Sequence, residues 1–337
     1  MRPLRETLDR LLERQSLTET EADELFAALA TTDVAPALAG ALLAALRGKG
    51  VIADEVRGFA RSMRRLARRP DVPRDLRAID VVGTGGDASG SVNISTGTAL
   101  LVAACGLPVV KHGNRSISSR AGSADVLEAL GMPMPLDEKR AGACLTATGF
   151  TFLFAPYYHP AMKAVGPVRA ALGVRTVFNI LGPLTNPGEP PLHVIGAFSL
   201  EAARLIAHAI AGMPLERAFV IHGAEGWDEP TPMGPFTLFD VHPGRVDEQL
   251  RAPQDYGLKA CQAAHLAGGD AAHNAQALRA ALGGERGAYR DCLLLGAALA
   301  LECAGVTRNV REAVARAADV IDSGAARQVL DKVASFR

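Results

Sequence analysis

Ile79-Asp80-Val81-Val82-Gly83-Thr84-Gly85-Gly86-Asp87 is an apolar, β-branched run that breaks into glycines. It predicts a short buried strand ending in a tight turn. Glycines leave backbone N–H groups open and let a phosphate approach the chain closely. Outward from this stretch, β-like runs at 78–82, 107–110, 219–222 and 237–241 alternate with helical segments. That alternation predicts an α/β fold, with a mostly parallel central sheet flanked by helices. The glycine turn alone is a weak signal. Gly83-x-Gly85-x-x-Ala88 satisfies a loose dinucleotide fingerprint, but such a site needs an acidic residue about 20 positions later for a ribose hydroxyl. Residues 88–124 contain no Asp or Glu, and bring Lys111, His112, Arg115 and Arg120 instead. An acid-free stretch that gains cations suits a polyphosphate. A P-loop nucleotide site is disfavoured, because no G-x-x-x-x-G-K-[ST] string is present.

Asn93-Ile94-Ser95-Thr96 opens the apolar segment 99–105. At a helix start, its hydroxyls and first amides would face the same ligand. Ordinary N-capping by Asn93 or Ser95 is the plain alternative. Val109 to Arg115 reads as a second strand ending in the basic turn Lys111-His112-Gly113-Asn114-Arg115, which continues through Ser116 to Ser119. Gly122-Ser123-Ala124-Asp125 then starts a helix. Neighbouring strand-end loops carrying glycines, hydroxyls and cations fit the rule that open α/β sheets bind ligands at strand C-termini. A third strand end carries Asp228-Glu229. Paired carboxylates there suit Mg²⁺ that also holds substrate phosphates. They also suit general acid–base work, or a solvated acidic turn. His112 and His159 read as structural histidines rather than bases.

Residues 1–70 read as helices. Leu4, Leu8, Leu11 and Leu12 fall on one helical face. Thr18 with Glu21 has the spacing of a capping box. Further helices are expected over 35–46 and 53–67, the latter ending in Arg61, Arg64, Arg65, Arg68 and Arg69 as a solvated basic face. The proline-marked segment 69–73 predicts a boundary. It separates an N-terminal helical domain, 1–70, joined by helices near 165–185, from an α/β domain, 74–337. A length of 337 residues suits two domains.

Lys+Arg and Asp+Glu both number 36, so the net charge is zero and a dedicated nucleic-acid partner is disfavoured. Hydrophobic residues at 48% against 21% charged mark a globular chain. Five cysteines without a C-x-x-C pair argue against a disulfide framework or structural zinc. The charged N-terminus lacks a signal-peptide core. The uncharged stretch 88–110 carries Ser, Asn, Thr and Pro that would be costly in lipid. A cytoplasmic location without a membrane partner is the expectation.

The strings GTGGD (83–87), NIST (93–96), KHGNRSISS (111–119), GSADVLEALG (122–131), FLFAPYYHPAMK (152–163) and VRAALGVRTVFNILGPLTNP (168–187) stand in this order, followed by Asp228-Glu229. Together they resemble the anthranilate phosphoribosyltransferases over nearly the whole chain. The resemblance implies transfer of a phosphoribosyl group from phosphoribosyl pyrophosphate to the amine of anthranilate. It also implies magnesium, two ions per site, no covalent protein intermediate, a role in tryptophan biosynthesis, and a homodimer formed through the helical domain. By matching positions it implies a phosphoribosyl pyrophosphate site at Gly83, Thr84, Gly85, Gly86, Asp87, Ser91, Asn93, Ile94, Ser95, Thr96, Lys111, His112, Gly113, Asn114, Arg115, Ser119 and Ser123. Anthranilate would meet Gly83, Asn114 and Arg169, and magnesium would meet Ser95, Asp228 and Glu229. Trp227, Tyr157 and Gly296 depart from the family pattern. A pyrimidine nucleoside phosphorylase is the alternative of similar fold, and the Asp228-Glu229 pair with the NIST string argues against it.

Overall fold

In a computed structural model, residues 3–116 and 120–337 are described. Four helices come first: α1 (Leu4–Leu12), α2 (Glu19–Leu29), α3 (Pro36–Lys49) and α4 (Ala53–Arg65). The expected capping box at Thr18 forms, with the Glu21 amide donating to Thr18 Oγ1 at 3.2 Å and the Thr18 amide to Glu21 Oε2 at 2.9 Å. There follow β1 (Ile79–Gly83), α5 (Ile94–Ala104), β2 (Val109–Gly113), α6 (Ser123–Ala129), α7 (Glu138–Thr148) and β3 (Phe150–Phe154). Next are α8 (Ala155–Tyr158), α9 (Met162–Leu172), α10 (Phe178–Leu181), β4 (Leu192–Gly196), α11 (Leu200–Ala211) and β5 (Arg217–His222). The chain closes with β6 (Phe236–His242), β7 (Arg245–Arg251), α12 (Ala271–Leu282), α13 (Ala288–Cys303), α14 (Val310–Asp322) and α15 (Ala325–Ser335). No helix of the described residues is long and apolar enough to cross a membrane.

Among the described residues the strands form one sheet in the order β3-β2-β1-β4-β5-β6-β7. The first five are parallel, and β6 and β7 run antiparallel at one edge. The sequence reading located β1, β2, β5 and β6, and left β3, β4 and β7 undrawn. Crossover helices cover both faces, which is what a buried parallel sheet requires. One core lies between the sheet and helices such as α5, α7 and α13, around Leu100, Val109, Phe152 and Leu295. The opposite core joins Val82, Ile195 and Phe239 of the sheet to Ile206 of α11 and to Phe26, Leu42 and Phe59 of the N-terminal helices. Phe178 and Leu181 of α10 enter that same core. The N-terminal helices therefore share apolar packing with one face of the sheet. Phe26, Phe59 and Phe178 form a tilted, edge-on trio at centroid distances of 5.7–5.9 Å.

Two sequence expectations are corrected. Leu12 is 65% exposed, whereas Leu11 is buried. Leu12 lies at the rim of the apolar stripe, where the turn ending α1 carries it into solvent. Arg64 does not join the solvated basic face. It is buried, and its Nε donates to the Leu184 carbonyl at 2.7 Å. Burial draws its guanidinium pKa down to about 10. Its neighbours Arg61 and Arg65 do sit at the surface, paired with Glu19 and Asp23.

Candidate active site at the strand ends

The parallel strands end together, and so do the loops that follow them. Gly83 and Gly196 are register partners at the tips of β1 and β4. The Asp228-Glu229 segment crosses directly over both. A Cβ on Gly83 would lie 2.5 Å from Asp228 Oδ2, and one on Gly196 would lie 1.6 Å from the Asp228 carbonyl oxygen. Gly223, just beyond β5, faces the Glu229 carbonyl in the same way, at 2.1 Å. The need for glycine here is close backbone approach. A different need acts in the loop after β1, where Gly85, Gly86, Ala88 and Gly90 all adopt φ between +59° and +76°. Left-handed residues in a tight turn, set among residues of negative φ, turn backbone amides toward one side in the manner of an anion-binding concavity.

Those amides currently meet carboxylates. The Gly85 amide donates to Asp228 Oδ2 at 2.5 Å, and the Ser95 amide, at the start of α5, donates to Glu229 Oε1 at 3.0 Å. Asp87 Oδ2 accepts from the Asp228 amide at 3.2 Å, and Asp87 Oδ1 accepts from the Ser89 amide and hydroxyl. Thr84 is tied to β4, donating its amide to the Gly196 carbonyl at 2.9 Å, and its Oγ1 accepts from the Phe198 amide at 3.2 Å. Lys111 is buried, with Nζ 2.5 Å from the Val81 carbonyl and 3.4 Å from Ser95 Oγ. Sequence-distant Gly85, Ser95, Lys111, Asp228 and Glu229 thus share one small volume.

The electrostatics of that volume are unbalanced toward acid. Burial raises Asp228 well above the ordinary carboxyl range, and the nearby charges of Glu229 and Asp87 add to the rise. Burial lifts Glu229 to about 7, opposed by Lys111 and by the Ser95 hydrogen bond. Burial lowers Lys111, opposed by Asp80, Glu229 and Asp228. Three carboxylates face one ammonium, an arrangement that a divalent cation would relieve. Among the described residues no three His, Cys, Asp or Glu side chains converge to cage an ion by themselves. In Mg²⁺ chemistry one or two carboxylates share the ion with substrate phosphates and water.

Other expected residues take varied places. Asn93 stands at the N-cap position of α5 without capping it; its Nδ2 donates to the Ala121 carbonyl and its Oδ1 accepts from Asn274. Ser91 Oγ accepts from Ser89 Oγ at 3.3 Å. Ser123 Oγ donates to the Asn114 carbonyl at 3.1 Å and crowds Gly113, whose Cβ would lie 2.5 Å from it. Arg169 on α9 lies over the Phe178 ring at 5.0 Å, and burial lowers its guanidinium pKa. Ser119 lies outside the described residues.

Four other expected members have side chains placed as follows. The His112 ring is buried between the Gly182 carbonyl (3.1 Å) and His159 (3.2 Å), and its amide donates to Asp80. Strand alternation puts it on the face opposite Lys111. Burial holds its pKa at about 3 and that of His159 at about 4, so both rings are neutral near pH 7. Ile94 is an apolar core residue packed near Trp227 and Leu266, leaving only its backbone for a ligand. Thr96 is buried, and its hydroxyl has no hydrogen-bond partner among the described residues. Arg115 is exposed and pairs with Asp125 and Glu128 at 2.8 and 2.7 Å, so its charge is already neutralised.

Sequence reasoning gave no site role to Gly196, Asn274, Tyr289 and Arg175. Tyr289 donates its hydroxyl to the Asn93 carbonyl at 3.0 Å. Gly223 opens the acidic turn after the expected strand 219–222, whereas Gly196 ends β4, a strand with no such signal in the sequence. Of the departures from pattern, Trp227 is buried beside Ile94, and Gly296 faces Thr98, whose Oγ1 would lie 2.6 Å from an added Cβ. Tyr157 donates to Glu138 at 2.9 Å under the Arg68 guanidinium.

Comparisons with known proteins agree over nearly the whole chain. Residues 5–67 match the helical bundle domain of a glycosyl transferase family, and residues 75–327 match its a/b domain. An anthranilate phosphoribosyltransferase of Rhodopseudomonas palustris (strain HaA2) is 46% identical over 318 residues, 94% of each chain. The crystal structure of the Thermus thermophilus anthranilate phosphoribosyltransferase superposes with a TM-score of 0.91 at 42% identity, covering 98% of each chain. The Saccharomyces cerevisiae enzyme in complex with phosphoribosyl pyrophosphate and Mg superposes with a TM-score of 0.89 at 27% identity, covering 99% of this chain and 97% of that one. It has also been solved with 4-fluoroanthranilate, with a TM-score of 0.87 at 26% identity.

Proposed function

Because this chain belongs to the anthranilate phosphoribosyltransferase family, we propose that it transfers the 5-phosphoribosyl group of phosphoribosyl pyrophosphate to the amine of anthranilate. The products are N-(5-phosphoribosyl)anthranilate and pyrophosphate, and the place of the reaction is the second step from chorismate to tryptophan. The observation that carries this reading is the convergence of Gly85, Ser95, Lys111, Asp228 and Glu229 on one volume at the strand ends. Anion donors, one ammonium and an uncompensated carboxylate pair are what a diphosphate with its counter-ion needs.

The donor then lies on Gly83–Asp87, Ser91, Asn93, Ser95, Thr96, Lys111 and Ser123, and Ser119 completes the set by its motif. The Gly85 amide and the first amides of α5 bind its charged oxygens, aided by the helix dipole. Lys111, fixed by the Val81 carbonyl, holds positive charge beside the leaving diphosphate. Ser95, Asp228 and Glu229 would hold Mg²⁺, two ions per site, and the metal supplies further charge neutralisation to that leaving group. Occupation of the loop requires Asp228 and Glu229 to release the Gly85 and Ser95 amides, so the same carboxylates keep the empty donor sites satisfied.

Arg169 forms a charge-assisted pair with the anthranilate carboxylate, and Asn114 orients the ring, with Gly83 admitting it without a side chain. The aromatic amine is neutral at pH 7 and attacks ribose C1 directly. No protein nucleophile is needed, and the neutral, buried His112–His159 pair supplies none. Rate comes from alignment and from charge placed against the leaving group. We also place the domain division at 70–74, and a homodimer at the helical domain. Loss of anthranilate fluorescence on adding phosphoribosyl pyrophosphate and Mg²⁺ tests the reading, with aminobenzoate isomers as comparison acceptors. Folded protein that leaves anthranilate unconsumed refutes it.

A further inference from the structure

Exposed arginines mostly serve as solvated charges. Arg175, in the connection between α9 and α10, is engaged three ways at once. Its Nη2 donates to the Gly86 carbonyl within the glycine loop. Its guanidinium lies over Phe198, with Cζ 4.1 Å from the ring centroid. Its own carbonyl accepts from Arg47 Nη1, on α3, at 2.8 Å. Phe198 is itself part of the loop's foundation, since its amide donates to Thr84 Oγ1. Among the described residues no carboxylate pairs with Arg175. Its charge is therefore uncompensated, and one donor of a five-donor fork is committed to the loop.

We infer that Arg175 is a positioning residue for the phosphoribosyl donor: it clamps the glycine loop at Gly86 to the α9–α10 connection, and through Arg47 to the helical domain. This rests on the donor assignment made above. Gly86 sits at φ +76°, and the only atom within 4 Å of a Cβ added there would be Arg175 Nη2, at 3.7 Å. The Arg175 hydrogen bond fixes the direction of the Gly86 carbonyl, and hence of the amide that follows it toward the concave side. The face opposite Phe198 keeps cationic character beside a loop that must receive a polyanion. Arg169, the acceptor-side cation, lies on the same segment six residues earlier. One connection thus sets the donor loop and the acceptor arginine relative to each other. A lysine cannot substitute fully, because it lacks the planar face and the fork.

The test compares the wild type with Arg175→Gln, Arg175→Lys and Arg47→Gln. Phosphoribosyl pyrophosphate with Mg²⁺ is titrated by calorimetry without acceptor, and kcat, both KM values and thermal midpoints are measured. Arg175→Gln is expected to raise the donor Kd and KM about tenfold, the scale of one lost hydrogen bond with its charge. The loss should fall on the donor KM more than on kcat or the anthranilate KM, with an unchanged thermal midpoint. Arg175→Lys should recover part of it, and Arg47→Gln should move the donor KM the same way by less. A donor Kd unchanged in Arg175→Gln overturns the inference, as does a uniform loss that follows the thermal midpoint. A wild type that binds donor but leaves anthranilate untouched strikes only the acceptor reaction, because the titration still reports Arg175. A wild type that does not bind donor overturns both.

Discussion

Gly196→Ala should damage catalysis far more than folding. The added Cβ would stand 1.6 Å from the Asp228 carbonyl oxygen, where ordinary contact begins at 3.4 Å. The obstacle is backbone, so no side-chain rotation can relieve it. Gly196 lies inside a sheet between β1 and β5 and is held in register with Gly83 and Ile221. The 228–229 segment, a loop, is therefore the part that moves, by an ångström or more. Overpacking of this kind costs about 1–3 kcal/mol, and for a chain of this size that lowers the thermal midpoint by roughly 2–4 °C. Misplacing reacting groups by about 1 Å can cost about 100-fold in rate. Asp228 and Glu229 ride on the displaced segment, so kcat should fall on that scale and the Mg²⁺ concentration for half-maximal rate should rise. Steady-state kinetics across a Mg²⁺ series, beside a thermal melt, reads both. A variant with wild-type kcat and Mg²⁺ dependence would refute the claim that backbone proximity of β4 places the acidic pair.

Three further outcomes follow from particular residues. Burial raises Asp80 to about 6 from 3.8, so the folded state binds its proton more tightly than the unfolded state. Its contribution to stability is present below about pH 4 and is lost as pH rises through 6, a change of about 3 kcal/mol; Asp80→Asn should flatten the stability–pH curve over that window by this amount, and an unaltered curve would count against it. Ala88 holds φ +59°, and Ala88→Gly should raise the melting free energy by up to about 1 kcal/mol with catalysis retained, since the left-handed region costs non-glycine residues about 1–2 kcal/mol; a lower melting midpoint contradicts the strain. Arg169→Ala should raise the anthranilate KM at least tenfold, on the scale of about 1.5–3 kcal/mol for a charged hydrogen bond, while leaving the donor Kd near wild type; calorimetry showing lost donor binding instead would reassign the residue.

Much of this protein could be read from the chain alone. The β1 run and its glycines, the hydroxyl-rich start of α5, the lysine at the end of β2 and the Asp228-Glu229 pair each carry a local signature, because turn chemistry, anion binding and metal chemistry each restrict residue type. β3 and β4, Phe150–Phe154 and Leu192–Gly196, are five-residue buried runs too short for periodicity to tell from helical segments. Local spacing could not say that Arg64 and Arg65, adjacent in one basic run, part company, one buried against Leu184 and the other at the surface. Nor could it say that consecutive Lys111 and His112 serve opposite faces of the sheet. By itself the sequence determined the inventory: an α/β chain with a glycine-rich strand-end loop, a lysine and an acidic pair. Only the tertiary structure decided which of these meet, since parallel strand order β2-β1-β4-β5 sets side by side tips that lie more than a hundred residues apart. That order also put glycine at Gly196 and an arginine at Arg175 to work, through backbone approach and long-range hydrogen bonding that leave no mark on neighbouring residues.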